Sequence, residues 1–126
     1  MILIDTDVLT NSLRNGKRVG DAISAIALLE FIRGTPSEKR EEVKRLLEET
    51  YEVIWLDNSI LLEYSRLYDV LKEEGSLIGD ADLLIAATAI SKGMELLTGN
   101  LRHFARLRRY GLRLKGMEAR SGSEIT

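Results

Sequence analysis

Four oxygen-bearing side chains stand at positions that ordinary caps and turns do not jointly explain: Asp5, Glu30, Asp82 and Asn100. Thr6, Asp7 and Asp80 lie close to them along the chain. There is no cysteine, and His103 is the single histidine. Disulfides, thiolate metal sites and a cysteine nucleophile are therefore excluded, and a zinc centre would have to rest on carboxylates, which is unusual. Oxygen-only donors suit Mg2+ or Mn2+, and magnesium is commonly held by one or two carboxylates plus waters. Such an ion supports in-line attack of an activated water on a phosphodiester, offsetting charge on the phosphoryl oxygens. Three acids gathered without a cation would repel one another and push some pKa values upward, so their convergence makes best physical sense around an ion.

The local settings differ. Asp5 ends the apolar run Ile2-Leu3-Ile4, which reads as a short buried strand. Glu30 falls with Ile23, Ile26 and Ala27 at i, i+3, i+4 and i+7 of a helix expected from Asp21 to about Ile32, with Asp21 as its cap. A solvated glutamate is not expected on that stripe. Asp80 and Asp82 both sit in the first turn of a helix that runs from Gly79 and is apolar on nearly every side. A carboxylate there can be a cap or a partner of the helix dipole, but positions two apart point to opposite faces. Asp82 heads the apolar row Ile85, Ala86 and Ala89, whereas Asp80 heads a row that turns polar at Thr88 and Ser91. A charge at the rim of a core is costly unless a cation or donor faces it, which makes Asp82 the better ligand candidate and leaves Asp80 as a cap.

These residues need elements to hold them. Besides the first strand, the sequence predicts a short helical turn over Val8–Leu13 and a turn at Asn15-Gly16. A charged helix follows from Ser37 to about Glu49, with Val43, Leu46 and Leu47 inward. Val53-Ile54-Trp55-Leu56 reads as a second strand. Asp57, Asn58 or Ser59 then caps a long helix to Glu74, with Ile60, Tyr64, Leu67, Tyr68 and Leu71 inward. After the apolar helix come the strand Glu95–Thr98, a basic helix from Leu101 to about Tyr110, and an edge strand at Leu112–Leu114. Short apolar strands alternating with helices predict a three-layer α/β/α sandwich with a mainly parallel sheet. Ligands in such folds collect beyond the carboxyl ends of the strands, where Asp5 and Asn100 both fall.

At 126 residues the chain is expected to be one domain over 1–126, with 116–126 as a tail. Its hydrophobic fraction of 44% and charged fraction of 30% suit a globular protein. No apolar run approaches a membrane span and no secretory leader is visible, so a cytoplasmic, membrane-free protein is expected. The net charge of −2 conceals an asymmetry: Gly99–Lys115 carries six basic residues and no acid, leaving −8 on the remainder. Arg102, Arg106 and Arg109 fall at i, i+4 and i+7, a candidate nucleic-acid stripe if it lies near the acids.

The residues also resemble a known family. Ile4-Asp5-Thr6-Asp7-Val8-Leu9 looks like the opening signature of PIN-domain ribonucleases. Ser24-Ala25-Ile26-Ala27-Leu28-Leu29-Glu30 and Asp82-Leu83-Leu84-Ile85-Ala86-Ala87 are similar to the segments carrying their second and third acids. Leu97-Thr98-Gly99-Asn100-Leu101-Arg102-His103-Phe104 resembles the stretch that follows. Length and order best match the VapC toxins of toxin–antitoxin pairs, over about residues 2–115. The resemblance implies that Asp5, Glu30 and Asp82 hold Mg2+ or Mn2+ and that Thr6 orients Asp5 or a water. Asn100 falls where many members have a fourth acid, which implies one firmly held ion and a second bound only alongside substrate. Asp80 departs from the family's usual residue and is left as a cap or an outer-sphere ligand. The resemblance further implies a metal-dependent endoribonuclease toxin, cleavage of structured RNA such as tRNA or rRNA, a homodimer, and a VapB-like antitoxin partner. Two rivals stand beside it. One is a PIN nuclease of RNA processing without a toxin role. The other is a noncatalytic receiver-like or scaffold interaction domain in which the acids bind a regulatory ion; a receiver would be expected to offer a phosphorylatable middle-strand Asp and a late Lys, and neither is obvious.

Overall fold

A computed structural model describes residues 1–116. Five strands form one sheet in the order β3-β2-β1-β4-β5, every neighbouring pair parallel. They are β1 (Ile2–Ile4), β2 (Ala22–Ser24), β3 (Glu52–Ile54), β4 (Glu95–Thr98) and β5 (Arg113–Gly116). Six α-helices connect them: α1 (Thr6–Asn15), α2 (Ala25–Arg33), α3 (Arg40–Thr50), α4 (Asn58–Glu74), α5 (Asp80–Ser91) and α6 (Leu101–Phe104). Three-residue strands buried on both faces suffice because side chains alternate between two cores. Leu3, Ala22 and Leu96 point to a core with Leu67 and Leu71 of α4, Leu83 and Ala87 of α5, and Phe104. Ile4, Ile23 and Leu97 point to the other, with Val8 and Leu9 of α1, Leu28 of α2 and Leu47 of α3. The sheet is thus the middle of three layers, as expected.

Helix α5 is the most enclosed. Leu83, Ile85, Ala86, Ala87, Thr88 and Ala89 are all buried, so a helix with almost no polar side finds protein all around it.

Several local expectations are corrected. Asp21 does not cap a helix: its carboxylate accepts from the Ile2 backbone N–H at 2.7 Å, and Ala22–Ser24 form the strand β2. Ser24 is the true cap of α2, its hydroxyl accepting from Ala27 N–H at 3.0 Å. The apolar stripe begun at Ile23 ran across a strand–helix junction with no linker, which is why its periodicity read as one helix. The first helix is a full ten residues rather than a turn. The charged helix begins after a 3-10 turn at Ser37–Lys39, Ser37 makes no capping bond, and Leu46 is exposed. β3 stops at Ile54, leaving Trp55 and Leu56 in solvent. The basic helix holds as an α-helix only to Phe104 and continues as a 3-10 helix over Ala105–Tyr110. Gly116, expected to begin the tail, instead closes β5, and the rest of that tail, 117–126, lies outside the described residues.

Gly20, in the turn between α1 and β2, has φ +75°, and a Cβ there would stand 2.3 Å from Ile4 Cγ2. That close approach lets Asp21 reach β1.

Candidate active site

The strand order reverses direction between β1 and β4: the chain leaves β1 toward β2 and β3, then crosses back to β4. At such a switch point the connections diverge and leave a crevice. Asp5 follows β1 there and Asn100 follows β4. The Asp5 backbone N–H donates to Leu97 O at 3.0 Å, which ties the two strand ends together.

Asp5 is 7% exposed. Its two oxygens accept from the Thr98 hydroxyl at 2.8 Å and from the Thr6 backbone N–H at 2.8 Å. Burial pushes its carboxyl up to about 6; those two donors oppose the rise, and the charges of Asp7 and Asp82 add to it. Asp5 is therefore a carboxylate held firmly in place in surroundings that disfavour its charge.

Glu30 reaches the same pocket from α2, where the cap at Ser24 sets the helix phase. Its carboxylate accepts from the Thr6 hydroxyl at 2.7 Å. Thr6 thus touches two of the three acids, Asp5 through its N–H and Glu30 through its hydroxyl. Asp82 enters from the first turn of α5, half-buried, and accepts from His103 Nε2 at 2.9 Å. An ionised carboxylate can only accept, so the imidazole presents an N–H there. The His103 ring lies edge-on to Phe104, centroids 5.1 Å apart.

Asp5, Thr6, Asp7, Thr10, Glu30, Arg33, Asp82 and Asn100 line one cavity of about 480 Å³. The five expected residues Asp5, Thr6, Glu30, Asp82 and Asn100 are therefore brought together from four separate segments. Asp80 is not. Its carboxylate accepts from the Tyr64 hydroxyl at 2.8 Å, on the α4 side, and it makes no capping bond at the start of α5. That hydrogen bond raises the Tyr64 phenol above its usual range. The capping role expected for Asp80 gives way to a tie between α4 and α5.

The arginine stripe also differs from expectation. The change from α-helix to 3-10 helix after Phe104 breaks the i, i+4, i+7 register. Arg106 donates to Ser76 O at 3.2 Å, and Arg109 stands 3.7 Å from Glu74. Both line a separate cleft with Glu74 and Ser76, while Arg102 is exposed. Four residues of the site were not singled out by sequence for the places they take: Thr10, Thr98, His103 as a partner of Asp82, and Arg33. The Thr98-Gly99-Asn100 end of β4 was the available signal for Thr98. Arg33, three residues after Glu30, shares its helix face.

The donor set fits a hard divalent cation. It is all oxygen, and a cation would relieve the disfavoured charge of Asp5. Among the described residues, however, no three carboxylate or imidazole side chains close around a common point. Glu30 is turned to Thr6 and Asp82 to His103.

Comparison with known proteins identifies the family and the fold. A family profile described as PIN domain matches residues 2–110. The chain is 42% identical over 116 residues to Ribonuclease VapC1 of Methanocaldococcus jannaschii, covering 90% of this chain and 85% of that one. It is 33% identical over 115 residues to Ribonuclease VapC10 of Mycobacterium tuberculosis, covering 82% and 86%. Among solved structures, VapBC-1 from nontypeable Haemophilus influenzae superposes with a TM-score of 0.77 at 26% identity, covering 92% of this chain and 98% of that one. DNA-bound VapBC from Salmonella typhimurium gives 0.79 at 25% identity, covering 91% and 96%.

Proposed function

The chain belongs to the PIN-domain family, within its VapC ribonucleases, and from that premise we propose that it is a Mg2+- or Mn2+-dependent endoribonuclease toxin. The observation that carries the reading is the buried Asp5 sharing one pocket with Glu30 and Asp82 at the sheet's switch point. Asp5, Glu30 and Asp82 would hold the ion. When bound, it supplies an activated water and positive charge for the phosphoryl oxygens. The chain's own contribution is orientation. Thr98 and the Thr6 N–H keep both Asp5 oxygens aimed, the Thr6 hydroxyl sets Glu30, and His103 sets Asp82. Asn100 is neutral where a fourth acid would strengthen a second site, so one ion is held firmly and a second joins only with RNA. Structured RNA, tRNA or rRNA, is the substrate class we propose, acted on in the cytoplasm.

The VapBC complexes among the structural neighbours support a VapB-like antitoxin as the neutralising partner. We take residues 1–126 as a single nuclease domain that works as a homodimer. No helix of the described residues is long and apolar enough to cross a membrane.

The test is cleavage of total RNA with Mg2+ or Mn2+ by the wild type and three variants. Asp5→Asn and Asp82→Asn are each expected to lose at least about 100-fold in rate, the scale of removing a group that stabilises transition-state charge. Asp80→Asn, which sits outside the pocket, is expected to stay within about threefold, a difference of under 1 kcal/mol. Undiminished cleavage in both pocket variants would overturn the assignment.

A further inference from the structure

Arg33 is the cation of the acid pocket. Four carboxylates line that pocket, from Asp5, Asp7, Glu30 and Asp82, and Arg33 lines it with them. An arginine so placed would ordinarily form an ion pair. Glu30 in particular is three residues earlier on the same helix, the spacing at which such pairs form. Yet among the described residues no carboxylate lies within 4 Å of its guanidinium, and Glu30 takes the Thr6 hydroxyl instead.

The backbone beneath Arg33 is held in place. Its carbonyl accepts from Arg40 Nη2 at 3.2 Å, while Arg40 Nε donates to Thr35 O at 2.9 Å. The Thr35 hydroxyl returns to Phe31 O at 2.9 Å. The last turn of α2 and its exit are thereby fixed, with the guanidinium left exposed at the pocket rim. Complementing the helix dipole accounts for a basic residue in a last turn. It does not account for that residue turning to a wall of acids and pairing with none of them.

We propose that Arg33 binds an RNA phosphate group that lies across the acid pocket, making it a substrate-contacting residue of this site. An RNA strand entering a pocket of four carboxylates is repelled by them, and a bound divalent ion offsets only part of that charge. A guanidinium offers a planar fork of donors matched to two phosphate oxygens. Left unpaired by the protein's own acids, it meets the phosphate without first breaking an ion pair. The assignment rests on the nuclease reading of the pocket.

The test uses the full chain with Arg33→Gln and Arg33→Lys, an exposed position where neither change disturbs the core. Three measurements are made: single-turnover cleavage of a labelled RNA with Mg2+, Mn2+ binding by calorimetry, and RNA binding by anisotropy in an Asp5→Asn background that cannot cleave. For Arg33→Gln, cleavage is expected to fall about 10- to 100-fold, as for loss of one charge-assisted bidentate contact. The salt slope of RNA binding should fall by about one. Mn2+ binding should be unchanged or tighter, since a cation facing the ion is removed. Arg33→Lys should recover part of the activity, because it returns the charge without the fork.

Wild-type cleavage and RNA binding in Arg33→Gln would overturn the proposal. So would loss of Mn2+ binding in step with cleavage, which would mark Arg33 as a support for the acids. If the wild type cleaves no RNA but binding in the Asp5→Asn background still depends on Arg33, the nuclease reading falls and the phosphate contact stands.

Discussion

Asp5 carries opposed demands at a single residue. Folding places it behind β1 at 7% exposure, where burial raises its pKa to about 6 from 3.8. The folded protein therefore keeps a proton between pH 4 and 6 that the unfolded chain has released. The contribution of Asp5 to stability therefore falls as pH rises through that window and then levels off. Asparagine keeps the shape and loses the charge. In the presence of a chelator, Asp5→Asn is expected to raise the melting temperature at pH 7.5 by roughly 5 °C or more, for a shift of roughly two pKa units at about 1.4 kcal/mol each, partly relaxed by solvent. The gain should vanish near pH 4. Added Mn2+ should reverse the order, because a ligand that binds only the folded wild type stabilises it by mass action. Calorimetric scans at the two pH values, with and without Mn2+, check all three statements. Asp80 and Asp82 show how close neighbours part company. Two positions apart on α5, one meets Tyr64 and the other meets the pocket. Their different helix faces put Asp82 in the pocket lining and keep Asp80 out of it, but the partner of Asp80 depended on α4 packing alongside.

Among the elements, the α1–β2–α2 passage decides whether Glu30 reaches Asp5. β2 is three residues long and passes directly into α2, with Ser24 serving both. Its register against β1 is set by Asp21, which pairs with Ile2 through both backbone and side chain. Gly20 makes that contact possible. Gly16 and Gly20 both have positive φ, but an added Cβ at Gly16 meets nothing within 4 Å, whereas at Gly20 it collides with Ile4. Gly16→Ala is expected to cost about 1 kcal/mol, the ordinary penalty of a left-handed residue. Gly20→Ala should cost a further 1–3 kcal/mol, because Ile4 is β-branched, fully buried and cannot give way. Denaturant unfolding of the two variants measures the difference. Equal losses would show that the turn relaxes freely and does not fix β2.

Over the whole molecule, the acids, the basic segment and the exposed apolar residues occupy different places. Arg106 and Arg109 brace the end of α4 through Ser76 and Glu74, so part of the basic charge of Gly99–Lys115 is engaged within the fold. Trp55, Leu56, Leu61 and Leu62 are exposed around the β3–α4 junction and the first turns of α4, Leu62 at 70%. Large exposed apolar side chains mark contact surfaces, and we propose that these serve the homodimer. Leu62→Glu is expected to leave the melting temperature of the fold within a few degrees while shifting sedimentation from dimer to monomer. A wild type that sediments as a monomer would remove that assignment.

The three-layer architecture, the acids Asp5, Glu30 and Asp82, and the enclosed helix α5 were legible in the sequence, because each follows from local rules. A short apolar run reads as a buried parallel strand, an apolar-all-round segment reads as an interior helix, and a carboxylate on an apolar face demands a reason. β2 was not legible. Three residues buried on both faces have no alternation to show, and Ile23 continued the helical period of α2 by coincidence. Nor were the hydrogen-bond partners legible: Thr98 on Asp5, Thr6 on Glu30, His103 on Asp82 and Tyr64 on Asp80 join residues 16 to 93 positions apart, except where Thr6 also bonds its neighbour. The lack of cysteine and the single histidine determined that any metal site in this chain would rest on oxygen donors. Only the sheet order, with its reversal between β1 and β4, decided that four distant segments would deliver those oxygens to one crevice. The tertiary structure likewise decided that Arg33 would stand among them unpaired.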